Sequence, residues 1–173
     1  MRFQSNLEKD LNEVVRAELP RLYRVAYRLT GNSVDSEDMV AQTLLQAAKG
    51  WRIFDGRHPS AWLYRILNNV YLREGAKQSR RATLPIEDLA ETADPIDVEG
   101  LVVERMELER VLAGMAYLTP EQQVAVTLCD IEGMSYDEVS KVLEIPRGTL
   151  SSRLFRARQT LQEHCGDVLS DRS

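Results

Sequence analysis

The sequence predicts an all-α fold of two small helical domains joined by a flexible acidic linker. Three observations lead there. Apolar residues recur at helical spacings through most of the chain, and strand-like alternation is absent. Helix starts are marked by Ser, Thr and Pro, and helix ends by Gly. Between residues 82 and 100 the pattern lapses: Pro85 and Pro95 stand among carboxylates with few large apolar side chains, the composition of a linker. The boundaries that follow are 1–81 and 101–165 for the two domains, with a tail at 166–173.

The elements follow in order. Leu7, Leu11, Val15, Leu22, Ala26 and Leu29 share one helical face, and Pro20 is expected to split a short leading helix from a second. Gly31 suits the left-handed conformation that closes a helix. A new helix is expected from Ser33–Ser36, with Glu37 and Asp38 in its first turn, favoured there by the helix dipole, and Val40, Leu44 and Ala47 inward. Gly50 ends it. Trp51–His58 reads as an irregular loop. Pro59 opens a helix to about Arg80 that buries Trp62, Ile66 and Val70, widened by Leu63 and Leu67, and exposes Arg65, Asn68, Asn69, Arg73 and Lys77. After the linker a helix resumes, with Leu101, Met106 or Leu108, Leu112 and Met115 as core positions. Thr119, Pro120 and Gln122 start the next, which buries Val124, Ala125 and Leu128. Glu132-Gly133 turns the chain. Ser135 and Glu138 form a capping box for a short helix with Tyr136, Val139 and Leu143 on one face. Pro146 separates it from a last helix whose inner face is Leu150, Leu154, Ala157 and Leu161. The turn between them, Leu143-Glu144-Ile145, lacks the glycine such units often carry.

That last pair reads as a helix-turn-helix. The outer face of its second helix holds Ser152, Phe155, Arg156 and Gln159, flanked by Arg153 and Arg158. Guanidinium groups pair with guanine edges, an amide with adenine, and an apolar ring with a thymine methyl. Flanking arginines suit phosphates, which set register without reading sequence. The polar face of the helix after Pro59, with aromatics and a basic loop beside it, suits single-stranded nucleic acid.

Charge and chemistry agree. The 173 residues carry a net charge of -5, but the basic residues cluster at Arg73–Arg81 and Arg147–Arg158, and acidic ones between Glu87 and Glu109. Two cysteines and two histidines, without a paired acid and nucleophile or a Gly-rich phosphate loop, leave no catalytic site, no cofactor and no metal centre to expect. Cys129 reads as a core residue, and His164-Cys165 lacks further ligands nearby. The charged stretch Arg2–Glu18 leaves no apolar run for a signal peptide or membrane span, so a reduced, cytoplasmic protein is expected.

Three blocks carry a resemblance to the extracytoplasmic-function sigma factors of bacteria. They are LYRVAYRLTGNSVDSEDMV at Leu22–Val40, AWLYRILNNVYLRE at Ala61–Glu74, and LTPEQQVAVTLCDIEGMSYDEVSKVLEIPRGTLSSRLFRAR at Leu118–Arg158. The last resembles the family's Gly-Thr-x-x-Ser-Arg-x-x-Arg-Ala-Arg signature. The resemblance implies a protein that binds core RNA polymerase and directs it to promoter DNA, under an anti-sigma factor and in response to stress. By it, Asp38 and Gln42 meet the polymerase clamp. Arg57, Ser60, Trp62, Arg65, Asn69 and Arg73 take the −10 strand with an extruded base. Arg147, Thr149, Ser152, Arg153, Phe155 and Arg156 hold the −35 element, and the linker mimics RNA in the exit path. Three positions depart from the pattern. Ala41 stands where Gln is usual, Arg147 where a small apolar residue is usual, and Ser151 where Lys or Arg is usual. A −35 preference differing in detail follows. Two rival readings stand beside this one: an independent helix-turn-helix regulator, and a sigma-like mimic that binds an anti-sigma factor without touching DNA.

Overall fold

The structure, a computed structural model, describes residues 2–79 and 113–165. The linker 82–100, the core positions Leu101, Met106, Leu108 and Leu112, the side chains of Leu7 and Lys77, and the tail lie outside the described residues. Within them every regular element is helical, and no helix is long and apolar enough to cross a membrane.

Helix α1 spans Arg2–Thr30, α2 Ser33–Gly50 and α3 Pro59–Ser79. Pro20 does not split α1, contrary to expectation. Its ring lies on the exposed side, while Val14, Leu22, Val25 and Leu29 pack inward on either side of it. Continuous packing against α2 and α3 offsets the roughly 3 kcal/mol that an interior proline costs. Helix α1 ends as expected at Gly31, whose φ is 77°. The start of α2 is set by a residue the sequence reading passed over. Asn32 Oδ1 accepts from the Asp35 N–H at 2.8 Å, an N-cap, and Asp35 rather than Glu37 or Asp38 occupies the first turn. Ser36 is fully buried, its hydroxyl satisfied by Thr30 Oγ1 at 2.8 Å and the Asn32 carbonyl. Beyond Gly50 the expected irregular loop begins with an ordered 3-10 turn, Trp51–Ile53.

The buried face of α3 is rotated from the expected one. Leu63, Tyr64, Leu67 and Val70 are buried; Trp62 and Ile66 are only half-buried, and Asn68 turns inward. The cause is the three-ring cluster beside it. Trp62 leaves the centre to stack on Phe54 at 4.6 Å and approach Trp51 at 5.6 Å.

Among the described residues the second unit opens on a helical turn at 113–114 that passes into a 3-10 turn, Met115–Tyr117, then α4 at Pro120–Val126. Thr119 and Gln122 form a reciprocal capping box there. Helix α4 runs on into a π-helical turn, Thr127–Ile131, which no sequence signal announced. Helix α5 spans Tyr136–Leu143, capped by Ser135 and Glu138, and α6 spans Arg147–Cys165. Glu144 takes the left-handed conformation, φ 53°, that a glycine usually fills in this turn. The two units abut. Helix α3 lies against α4 and α5, α1 lies against the π turn, and the buried residues of both form one cluster.

Candidate nucleic-acid interface

Helix α6 is built on a spine of Leu150, Leu154, Ala157 and Leu161, none more than 2% exposed. Burying that stripe leaves Thr149, Ser151, Ser152, Phe155, Arg156 and Gln159 outward. Phe155 is 65% exposed, an aromatic ring with no place in the core. Arg147, at the first position, reaches Asp137 at 3.2 Å while its side chain stays 65% exposed, so the pair does not hold it. Ser152 donates to the Gly148 carbonyl at 3.0 Å, and Arg153 is half-buried.

Arg158 corrects the expectation of a flanking phosphate contact. It donates from Nε and Nη2 to the two carboxylate oxygens of Asp130, at 3.1 and 2.6 Å, and to the Tyr136 hydroxyl at 3.1 Å. The Asp130 hydrogen bonds hold its pKa above the ordinary arginine value, outweighing desolvation. This bidentate pair ties α6 to the π turn and to α5.

The residues expected at single-stranded DNA divide into two groups. Arg57 is exposed in the loop, its N–H donating to Asp55 Oδ1 at 2.9 Å, and Asn69 and Arg73 are exposed on α3. Trp62, Arg65, Asn69 and Arg73 follow one stripe of α3 at three- and four-residue steps. Ser60 instead donates to Glu18 Oε1 at 2.7 Å, beside the Tyr64 hydroxyl, which donates to Glu18 Oε2 at 3.0 Å. Burial and Glu18 push the Tyr64 pKa up. Arg65 is engaged by the other unit: Nη2 donates to the Lys141 carbonyl at 2.9 Å and Nη1 meets Glu144 Oε1 at 3.0 Å.

On α2, Gln42 Nε2 donates to Asp38 Oδ2 at 2.7 Å, so the two share one outward face. Val34 and Leu45, 74% and 56% exposed, flank them at helical spacing. Neither was singled out from sequence, where one apolar residue on a helix looks like another. Sequence reasoning also missed Glu132. Arg21, Arg24 and Arg28 of α1 converge on its carboxylate, which is only 4% exposed: Arg21 at 3.3 Å, Arg24 at 3.2 Å, and Arg28 closest. Arg21 also donates to the Glu132 carbonyl at 3.0 Å. Burial lowers the pKa of Arg28 against the pull of Glu132. His164 stacks on Tyr117 at 4.0 Å and pairs with the Thr160 carbonyl, and among the described residues no cluster of His, Cys, Asp and Glu stands ready for a metal.

Comparison with known proteins adds the following. Residues 14–81 match the family Sigma-70 region 2, and residues 108–161 match Sigma-70, region 4. The ECF RNA polymerase sigma factor SigE of Mycolicibacterium smegmatis is 35% identical over 158 residues, covering 88% of this chain; the chain spans 60% of that relative's length. The ECF RNA polymerase sigma-E factor of Haemophilus influenzae is 33% identical over 140 residues, covering 74% of this chain and 73% of the relative. Among solved structures, the sigma factor RpoE in complex with the anti-sigma factor NepR, from Bartonella quintana, aligns with a TM-score of 0.72 at 28% identity, covering 95% of this chain and 99% of that one.

Proposed function

The chain belongs to the extracytoplasmic-function sigma factors of the sigma-70 family, and on that premise we propose that it binds core RNA polymerase and directs it to a set of promoters. The observation that carries this reading is the outer face of α6: hydroxyls, an amide, arginines and an exposed Phe155 on a fully buried spine.

Each face has its task. Arg147, Thr149, Ser152, Arg153, Phe155 and Arg156 engage the −35 duplex in the major groove. Arg57, Ser60, Trp62, Arg65, Asn69 and Arg73 take the −10 strand once it opens, with the three-ring cluster as a stacking platform. Asp38 and Gln42 meet the polymerase clamp, with Val34 and Leu45 supplying an apolar border. The first unit, residues 1–81, thus serves polymerase and the −10 element, the second, 101–165, the −35 element, and residues 82–100 join them. The protein works in the cytoplasm, catalyses no reaction itself, and is held in check by an anti-sigma factor, as the likeness to a sigma factor solved with one supports.

Run-off transcription on pooled genomic fragments, with purified core polymerase and with or without this chain, tests the proposal. Discrete new transcripts sharing upstream sequence at −10 and −35 are expected. A gel shift by the chain alone, with no new transcript, would establish the independent regulator instead.

A further inference from the structure

Among the described residues, two sets of ionic contacts bridge the units, and they act on the two proposed DNA-reading faces unequally. The first set is Glu132 beneath Arg21, Arg24 and Arg28. The second is Arg65, capped by the Lys141 carbonyl and by Glu144. Helix α5 and its turn therefore sit against the stripe of α3 that holds Arg65, while the outer face of α6 stays open, with Phe155 65% exposed.

We infer that the free chain closes on itself through Glu132, and that the closed form withholds Arg65 from single-stranded DNA while leaving the α6 face free for duplex. The inference rests on the assignment of Arg65 and α6 made above. Its two halves differ in kind. Glu132 is a buried anchor: one carboxylate, 4% exposed, receives three guanidinium groups, and Arg21 adds a bond to its backbone carbonyl. The Arg65 contact is weaker. Glu144 is 64% exposed, and Arg65 Nε is buried without a hydrogen-bond partner. A guanidinium left partly unsatisfied gains by moving to a phosphate or a base edge. Closure is thus held at Glu132 and felt at Arg65. The Glu132 anchor sets one negative charge against three positive charges on α1, so removing that single carboxylate leaves the three arginines crowded on one helix with no counter-charge across the contact.

The test uses the full chain and four changes: Glu132→Gln, Glu144→Gln, Arg24→Glu with Arg28→Glu, and that pair combined with Glu132→Arg. Circular dichroism establishes that each is helical. Small-angle scattering then reads compactness, and fluorescence anisotropy reads binding to mixed-sequence single-stranded and duplex DNA. Glu132→Gln and the double change are expected to raise the radius of gyration, and the swapped triple change to restore it. If about nine-tenths of wild-type molecules are closed, opening tightens single-strand binding about tenfold. Duplex binding is expected to stay within about twofold for Glu132→Gln, whose side chain meets no DNA. Glu144→Gln, exposed and remote from the core, is expected to tighten single-strand binding without expanding the molecule, and it covers the case in which the Glu132 variants do not fold. An unchanged radius of gyration in folded Glu132→Gln overturns closure. Unchanged single-strand affinity in every variant overturns the masking of Arg65. Expansion of Glu132→Gln with no DNA bound by any form leaves closure standing and removes the promoter-reading assignment instead.

Discussion

Arg156 faces away from the fold and Arg158 turns back onto Asp130, although both are arginines near the middle of one helix. They are expected to fail differently. Arg156→Ala should weaken a −35 duplex by about 1–3 kcal/mol, selectively by sequence, and leave stability within about 0.5 kcal/mol. Titration against matched and mismatched duplexes, with a urea melt beside it, checks this. Arg158→Ala should cost about 1 kcal/mol of stability, because Asp130 loses its partner at a partly buried site, and leave affinity for matched and mismatched duplexes largely unchanged. The alkaline limb belongs to the same scale. Burial pushes the Tyr71 hydroxyl from 10.0 to about 12 and the Cys129 thiol from 9.0 to about 12. Both are neutral in the fold where the unfolded chain would already ionise. Their contribution is whole below pH 9 and is lost as pH rises from about 9 to about 12, at up to about 1.4 kcal/mol per pH unit for each group. Chemical denaturation across that range should show the decline, and Cys129→Ala should shift its onset toward pH 10. The outward set on α6 was legible in the sequence, since a 3.6-residue period fixes which side chains oppose Leu150 and Leu154. The fate of Arg158 was not, because its partner lies 28 positions away.

Among the elements, those with local chemistry were the readable ones. Both capping boxes follow from residues three apart, and Ser135→Ala should cost about 1 kcal/mol in a thermal melt. Pro20 misled because its local penalty is overridden by the packing of α1 on either side of it, from Leu11 to Leu29. The face of α3 was misjudged because Trp62 has aromatic neighbours on the preceding loop. A Cβ on Gly50 would stand 3.1 Å from Trp62 Cζ2. Gly50→Ala should therefore displace the indole and shift its fluorescence, while changing stability by less than about 1 kcal/mol, since the ring is only half-buried. The turn before α6 carries a small standing cost at Glu144. Glu144→Gly should relieve about 1 kcal/mol of it, read as a raised denaturation midpoint.

Over the whole molecule, the helical class and the two-unit plan were legible, and the way the units meet was not. Glu132 is one of 27 acidic residues, and nothing nearby in sequence marks it as the one that three arginines of α1 would surround. That meeting has a geometric consequence. On the closure inferred above, the ionic contacts between the units are ones that substitution or binding undoes, so the distance between the proposed −10 and −35 faces is not a fixed dimension of this chain. On the proposed function, promoter spacer length is then measured by the larger machine that receives the chain. Varying the spacer one base pair at a time should give a sharp optimum for the polymerase-bound protein and a flat response for the protein alone.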